Sequence, residues 1–278
     1  MRLVYFGTPV AAVGPLDALV DAGHEIALVV TQPDRRRGRG KDLVASPVKV
    51  AALRHGLTVV TPTRTREIVD QVRDVGADLG IVVAFGQILP QALLDAIPGG
   101  LVNVHYSLLP RWRGAAPVER AILAGDAETG VDIMAVDLSL DTGAIYAEAR
   151  VTIGGTETAG ELHARLNVLG TDLLVRTLPQ VSTMTPTPQV GEPTYAEKLT
   201  VAEFELDLAG PVDHNLRLVR AGNPRPGAWL AFEGDRLKVW QAHVEDDRFV
   251  PDSVQPQGKK PMEYAAWRTG LRRDDPFA

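Results

Sequence analysis

Leu3 to Phe6 is a continuous apolar run rich in strand-forming residues, and it stops at Gly7-Thr8-Pro9. Val10 to Ala22 then repeats its apolar residues at helical spacing until Gly23, and Ile26 to Val30 is a second short apolar run. Strand, helix and strand in this order predict a parallel pair joined by a right-handed crossover. The alternation continues. Ser46-Pro-Val-Lys49 opens a helix that runs through Ala51 to Gly56, Thr58 to Val60 reads as a strand, and Glu67 to Val75 as a helix. Leu79 to Ala84 has no polar face, which predicts a parallel strand buried on both sides, ended by Phe85-Gly-Gln-Ile-Leu-Pro90. Gly100 to Val102 closes another short apolar strand. Beyond it a helix is predicted over Ala115 to Ala124, and strands over Val131 to Val136 and Ala144 to Ile153. Thr158 to Leu178 is the longest helical segment, with Leu162, Leu166, Leu169, Leu173 and Leu174 on one face. After Pro179 the pattern fades into a stretch rich in Pro, Thr and Gly, Val181 to Thr194, and resumes with a helix (Val212 to Ala221) and two strands (Gly227 to Phe232, Arg236 to Ala242). The predicted class is α/β, with a Rossmann-like, mostly parallel sheet carrying helices on both faces. Domain bounds are placed at 1–180 for the sheet domain, 181–200 for a linker and 201–278 for a small C-terminal domain.

Composition narrows the class. The chain has 278 residues, 45% of them hydrophobic, enough for a buried core. No stretch approaches the roughly 20 apolar residues of a membrane helix, and Met1 to Gly7 reads as a first strand rather than a leader. The absence of cysteine removes disulfides and thiolate metal sites, and the six histidines have no ligand spacing, so a soluble cytoplasmic chain without a metal is expected. A net charge of −6 argues against a protein that coats nucleic acid without specificity. The turn at Phe6-Gly-Thr-Pro9 lacks Gly-x-Gly-x-x-Gly, which disfavours a dinucleotide site.

The chemistry concentrates at Asn103-Val-His105 and at Leu140-Asp141-Thr142-Gly143. Residues two apart on a strand share a face, so the Asn103 amide and the His105 imidazole converge on one volume. Asp141, which follows the apolar segment Ile133 to Val136, joins them if the two segments are neighbours. An amide, an imidazole and a carboxylate suit acyl transfer to an amine: a donor for the developing oxyanion, a proton carrier, and a partner that orients it. Ser107 beside Leu108 and Pro110 is not in a nucleophile elbow, which favours direct attack by a substrate amine. Taken alone, Asn-x-His also fits a strand cap, and Asp141 a turn cap. Because ligands of open α/β sheets bind beyond strand ends, Phe85 to Leu89 and Asn103 to Pro110 are expected to line two sides of one crevice.

Thr31 to Lys41 holds five cations among eleven residues and two glycines, and Pro33 with the glycines denies it regular structure. Such a loop is often simply solvated. Against an acidic background it also suits phosphates.

Asn103-Val-His105, Ser107-Leu-Leu-Pro110, Arg111-Trp-Arg-Gly-Ala-Ala-Pro117, Ala124-Gly-Asp-Ala-Glu-Thr-Gly130 and Leu140-Asp-Thr-Gly143 together closely resemble the methionyl-tRNA formyltransferases. The resemblance implies that Asn103, His105 and Asp141 form the catalytic group. It implies a 10-formyltetrahydrofolate site bounded by Phe85, Gly86, Ile88, Leu89, Ser107, Leu108, Leu109 and Pro110. It further implies that Arg35, Arg36, Arg37, Arg39 and Lys41 engage the acceptor end of initiator methionyl-tRNA, with Lys259 and Lys260 as a second contact pair. Arg35-Arg36-Arg37 departs from the usual composition, in which a Pro-Ala pair commonly precedes Gly-Arg-Gly. A C-terminal OB-like β-barrel is implied, yet the chain between Val244 and Val254 is short, so a trimmed barrel is expected. From Thr200 onward 11 Lys/Arg face 13 Asp/Glu, which predicts a shallow salt dependence of tRNA binding. The expected activity is formyl transfer to methionine on initiator tRNA by a monomer. The alternatives are formylation of a small amine such as an amino sugar, and a non-catalytic folate- or RNA-binding relative.

Overall fold

A computed structural model describes residues 1–36, 43–271 and 274–278. In chain order its main elements are β1 (Arg2–Gly7), α1 (Val13–Asp21), β2 (Glu25–Val30), α2 (Pro47–Arg54), β3 (Val59–Val60), α3 (Val69–Asp74), β4 (Leu79–Val83), α4 (Gln91–Leu94) and β5 (Leu101–His105). There follow α5 (Pro117–Ala124), β6 (Glu128–Ala135), β7 (Ile145–Thr152), α6 (Ala159–Thr177), α7 (Val212–Gly222), β8 (Ala228–Phe232), β9 (Asp235–Glu245), β10 (Arg248–Pro256), β11 (Met262–Glu263) and α8 (Tyr264–Thr269). Two compact units alternate along the chain: Met1–Arg113 with Gly130–Arg150 and Ala164–Thr194, and Gly114–Thr129 with Val151–His163 and Tyr195–Ala278.

The first unit is built on a seven-stranded sheet in the order β7-β6-β5-β4-β1-β2-β3. The pairings among β1 to β5 are parallel, and β6 joins β5 antiparallel. The fold is thus α/β with a mostly parallel sheet, as the strand and helix alternation predicts. The continuous apolar run of β1 has its reason in burial on both sides. Val4 and Phe6 pack with Leu28 and Val30 against Ile68 just before α3, Val72 within it and Leu93 of α4, while Leu3 and Tyr5 face the other way. There the buried Tyr5 hydroxyl donates to the Ala12 carbonyl at 2.5 Å. Ser46 caps α2 by accepting from the Lys49 N–H at 3.0 Å, with Pro47 at the first helical position.

The second unit packs α5 and a four-stranded antiparallel sheet, β8-β9-β10-β11, against α7. Leu218, Val219, Leu237, Val239 and Val254 form its buried centre. Arg220 of α7 donates to the carbonyls of Glu157 and Gly154 at 2.9 and 2.8 Å. His163 of α6 stands 3.1 Å from the Glu119 carboxylate on α5.

Three elements differ from the sequence pattern. The loop after Thr31 is not wholly irregular: Arg35–Arg36 pairs antiparallel with Leu43–Val44, because the returning chain supplies backbone partners that local composition does not encode. The helix expected from Val10 begins as a 3-10 turn, Val10–Ala12, before α1. β10 was hidden because Pro251, Asp252 and Ser253 interrupt its apolar alternation. It folds back on β9 through Asp246 and Asp247, both at positive φ (48° and 59°), the geometry of the tight hairpin turns that match strand twist.

Candidate active site

β5 carries Asn103 and His105 on one face, between the buried Val102 and Val104. β6 runs antiparallel beside it, with His105 opposite Asp132 and Val102 opposite Ala135. The segment from Val136 onward doubles back, so that Asp141 Oδ2 stands 3.8 Å from His105 Nδ1. On its other side the imidazole Nε2 lies 3.0 Å from the Trp112 carbonyl. A carbonyl can only accept, so Nε2 carries a proton, and in the neutral ring Nδ1 is the free base. A proton gained at Nδ1 faces the Asp141 carboxylate at ion-pair distance. The sequence-predicted trio is therefore brought together, with Asn103 half-buried and His105 only 5% exposed.

Ser107 to Pro110 follows as a tight wall. The buried Ser107 hydroxyl donates to the Arg111 carbonyl at 2.7 Å, which makes it a turn closer. Leu109 is buried and its N–H donates to Asp132 Oδ2 at 2.8 Å; Leu108 and Pro110 are half-buried. Asp132 itself is fully buried. Burial, reinforced by the negative Glu148, pushes its carboxyl up to about 7 against the opposing pull of the Leu109 N–H and Arg150. Its Oδ1 has no hydrogen-bond partner among the described residues.

The second predicted wall behaves differently at each position. The Phe85 ring is in the core, edge-on to Phe6 at 5.5 Å, and only its carbonyl serves the loop, accepting from Thr8 Oγ1 and Gln32 Nε2 at 2.9 Å. Gly86 has φ +78°, where a side chain would be strained, and a Cβ there would lie 2.7 Å from Gln32 Nε2 and displace that amide. Ile88 projects into solvent with 87% exposure while its carbonyl accepts from Thr65 Oγ1 at 2.7 Å; Leu89 is half-buried. Gly86 and Ile88 border an open cleft of about 450 Å³ that also meets Arg35, Arg64 and Arg66.

Of the predicted cationic contacts, Arg35 and Arg36 are exposed on the first unit, whereas Arg37, Arg39 and Lys41 lie outside the described residues. Lys259 and Lys260 are exposed on the second unit, just past β10. Among the described residues no group of three His, Asp or Glu could hold a metal ion, and no helix is long and apolar enough to cross a membrane.

Sequence reasoning passed over the Pro- and Thr-rich stretch before Thr194, which returns to this site. Thr187 and Ile145 exchange backbone hydrogen bonds at 2.8 Å. Gln189 donates to the carbonyls of Asp141 and Gly143 and accepts from Arg113. Thr194 accepts from Trp112 N–H at 2.9 Å through its hydroxyl. No periodicity or motif marks these residues, because their partners are far away in sequence and, apart from the Arg113 guanidinium, are backbone groups.

This arrangement of an α/β sheet, a strand-borne amide and imidazole and a facing carboxylate has counterparts. A family described as formyl transferase matches residues 1–178, and its C-terminal domain matches residues 198–252. These matches define the class. The chain is 48% identical over 258 residues to the methionyl-tRNA formyltransferase of Chromobacterium violaceum, covering 91% of this chain and 84% of that one. It is 42% identical over 293 residues to that of Jannaschia sp., covering 98% and 97%. The solved structure of methionyl-tRNA formyltransferase from Clostridium thermocellum shares the fold, with a TM-score of 0.63 at 16% identity over 92% of this chain and 98% of that one. The chain belongs to the formyltransferase family, among the methionyl-tRNA formyltransferases.

Proposed function

We propose that this protein transfers the formyl group of 10-formyltetrahydrofolate to the α-amino group of methionine on initiator methionyl-tRNA, acting in the cytoplasm as a monomer. The observation that carries the reading is the His105 imidazole held between the Trp112 carbonyl and the Asp141 carboxylate, two strand positions from Asn103 and so on the same face. Exposed apolar side chains on the surrounding loops, Ile88, Leu138 and Leu140 at 87, 64 and 61%, offer the surface an aromatic donor requires. Phe85 through its carbonyl, Gly86, Ile88 and Leu89 form one side of the donor site, and Ser107 to Pro110 the other.

In this reading the methionine nitrogen attacks the formyl carbon. Asn103 donates its amide N–H to the formyl oxygen, whose negative charge grows as the C–N bond forms. His105 takes the amine proton at Nδ1, and Asp141 stabilises the resulting imidazolium. As the bond to N10 of the donor breaks, the same proton passes from Nδ1 to N10, so His105 ends neutral. Arg35, Arg36, Arg37, Arg39 and Lys41, with Lys259 and Lys260, supply cations for tRNA phosphates.

The test is a formylation assay with 10-formyltetrahydrofolate and charged initiator tRNA, beside elongator methionyl-tRNA and free methionine. Rapid formylation of the initiator species is the expected outcome. No turnover on any methionine substrate, with donor consumed when amino sugars are offered, would overturn the acceptor assignment.

A further inference from the structure

We infer that Gln189 is a positioning residue for this chemistry: it holds the turn that presents the Asp141 carboxylate to His105. The inference rests on the proposed role of Asp141. Asp141 sits at φ +51°, a left-handed conformation that an L-residue keeps only when its surroundings impose it. Within the turn the Thr142 hydroxyl donates to Asp137 Oδ1 at 2.7 Å, and Gln189 ties the turn down from a distant segment. Its Nε2 donates to the carbonyls of Asp141 and Gly143, each at 2.8 Å, so the residues on both sides of Thr142 are tied to one amide nitrogen. Its Oε1 accepts from Arg113 Nε at 3.0 Å and Nη2 at 2.6 Å. A carboxamide has two N–H donors and two acceptor lone pairs, and here all four are used. The bonds from a guanidinium are charge-assisted, which polarises the amide and strengthens its grip on the two carbonyls.

The same segment also governs the other partner of the imidazole. Thr194 accepts from the Trp112 N–H at 2.9 Å, its carbonyl accepts from the Arg113 N–H at 2.9 Å, and its N–H donates to the Pro110 carbonyl at 3.2 Å. Trp112, whose carbonyl faces His105 Nε2, is itself at φ +63°. Gln189 and Thr194 therefore pin the two strained residues that face the two ring nitrogens. Arg113 connects them, bonding through its side chain to Gln189 and through its backbone to Thr194. Gln189 reaches these groups while its neighbour Val190 is 83% exposed, so the strand-like alternation of this segment directs the amide inward.

The chemistry of the amide makes the test sharp. In Gln189→Glu the shape and the Arg113 pair persist, but the carboxylate has no N–H to offer the Asp141 and Gly143 carbonyls. In Gln189→Ala all four bonds go. Misplacing a reacting group by about 1 Å costs up to about 100-fold, so each variant is expected to lose about 10- to 100-fold in kcat with KM for both substrates within about twofold. Thermal melting of both variants establishes that they fold. The deciding measurement is a double-mutant cycle with Asp141→Asn. Where the carboxylate is already gone, removing its positioner should cost at most about twofold more. Additive losses in the cycle, or full activity of Gln189→Glu, overturn the assignment of Gln189. Wild-type turnover of Asp141→Asn alone instead overturns the role given to Asp141 and the inference with it, so the two failures are distinguishable.

Discussion

The backbone N–H of Leu109 lies 2.8 Å from Oδ2 of Asp132, and through this bond the Ser107–Pro110 wall is tied to a carboxyl sealed inside the sheet. The groups acting on that carboxyl are Glu148 and Arg150 from β7 and the Leu109 N–H, and His105 lies opposite it on β5. Burial first, then Glu148, raises its pKa from 3.8 to about 7. An acid whose folded pKa is raised favours the fold while protonated. Its contribution is full below the unfolded value and is lost as pH rises through about 7. Asp132→Asn keeps an acceptor for Leu109 and never ionises. Its stability relative to the parent should therefore improve between pH 5 and pH 8, with a slope of up to about 1.4 kcal/mol per pH unit. Urea denaturation across that range checks this, and a flat difference would show that Asp132 is ionised in the fold throughout.

Asn103 and His105 share a face of β5, and the proposed mechanism gives them separate duties, so their variants should fail differently. Asn103→Ala removes a donor aimed at a developing charge and is expected to lower kcat by about 100- to 1000-fold. His105→Ala removes the proton carrier and should cost about 100- to 10,000-fold. In the proposed mechanism both side chains act at the reacting formyl group, while Phe85 to Leu89 and Ser107 to Pro110 hold the rest of the donor, so donor binding, followed by fluorescence quenching, should stay within about threefold. Unchanged turnover in either variant would falsify its assignment.

Much of this was legible because the governing forces are local or periodic. The apolar run Leu3 to Phe6 and the helical spacing of α6 report burial directly, and Asn103 and His105 share a face by the two-residue repeat alone. What stayed hidden depends on contacts distant in sequence. The tautomer of His105 is set by a carbonyl of Trp112, and carbonyls belong to every residue. Asp132 looks like any strand residue until His105 is placed opposite it and Leu109 above it. Phe85 carries the same letters whether its ring lines a crevice or packs on Phe6, and only the sheet geometry puts it in the core. Gln189 sits in a stretch whose composition reads as linker, since proline and threonine describe how the segment avoids regular structure and say nothing of where it docks.

Gly143 closes the Asp141 turn at a point with no room. A Cβ there would lie 1.8 Å from the Ala135 carbonyl oxygen, a rigid backbone atom at the end of β6. The Ala135 N–H also donates to the Ala144 carbonyl at 2.8 Å, so the turn cannot retreat without losing that bond. Gly143→Ala is expected to destabilise the protein by about 2 kcal/mol or more and to lower kcat by at least about tenfold, because the displaced turn carries Asp141. Thermal melting and steady-state kinetics on the same preparation check it. Gly155, with nothing within 4 Å of a built Cβ, supplies the control, and Gly155→Ala should leave both quantities near the parent values.

Under the proposed function, the cations assigned to tRNA phosphates would divide that interaction into contributions that salt can count. Each phosphate contact releases counterions, so removing one should flatten the dependence of log K on log salt by about 0.7 to 0.9. Arg35→Ala and Arg39→Ala should each raise KM for initiator tRNA and reduce that slope, while the KM for the formyl donor stays unchanged. Lys259→Ala with Lys260→Ala tests the C-terminal unit separately. That region is slightly acidic, with 11 Lys/Arg against 13 Asp/Glu from Thr200 onward, so its share of the slope should be at most about two contacts. Titration of tRNA binding between about 50 and 200 mM salt gives both numbers. A slope as steep as that of a protein with many phosphate contacts, undiminished in the Lys259 and Lys260 variant, would place the dominant cations elsewhere on the chain. Equal losses of donor and tRNA use in the Arg39 variant would end the division of labour between that loop and the Phe85–Leu89 wall.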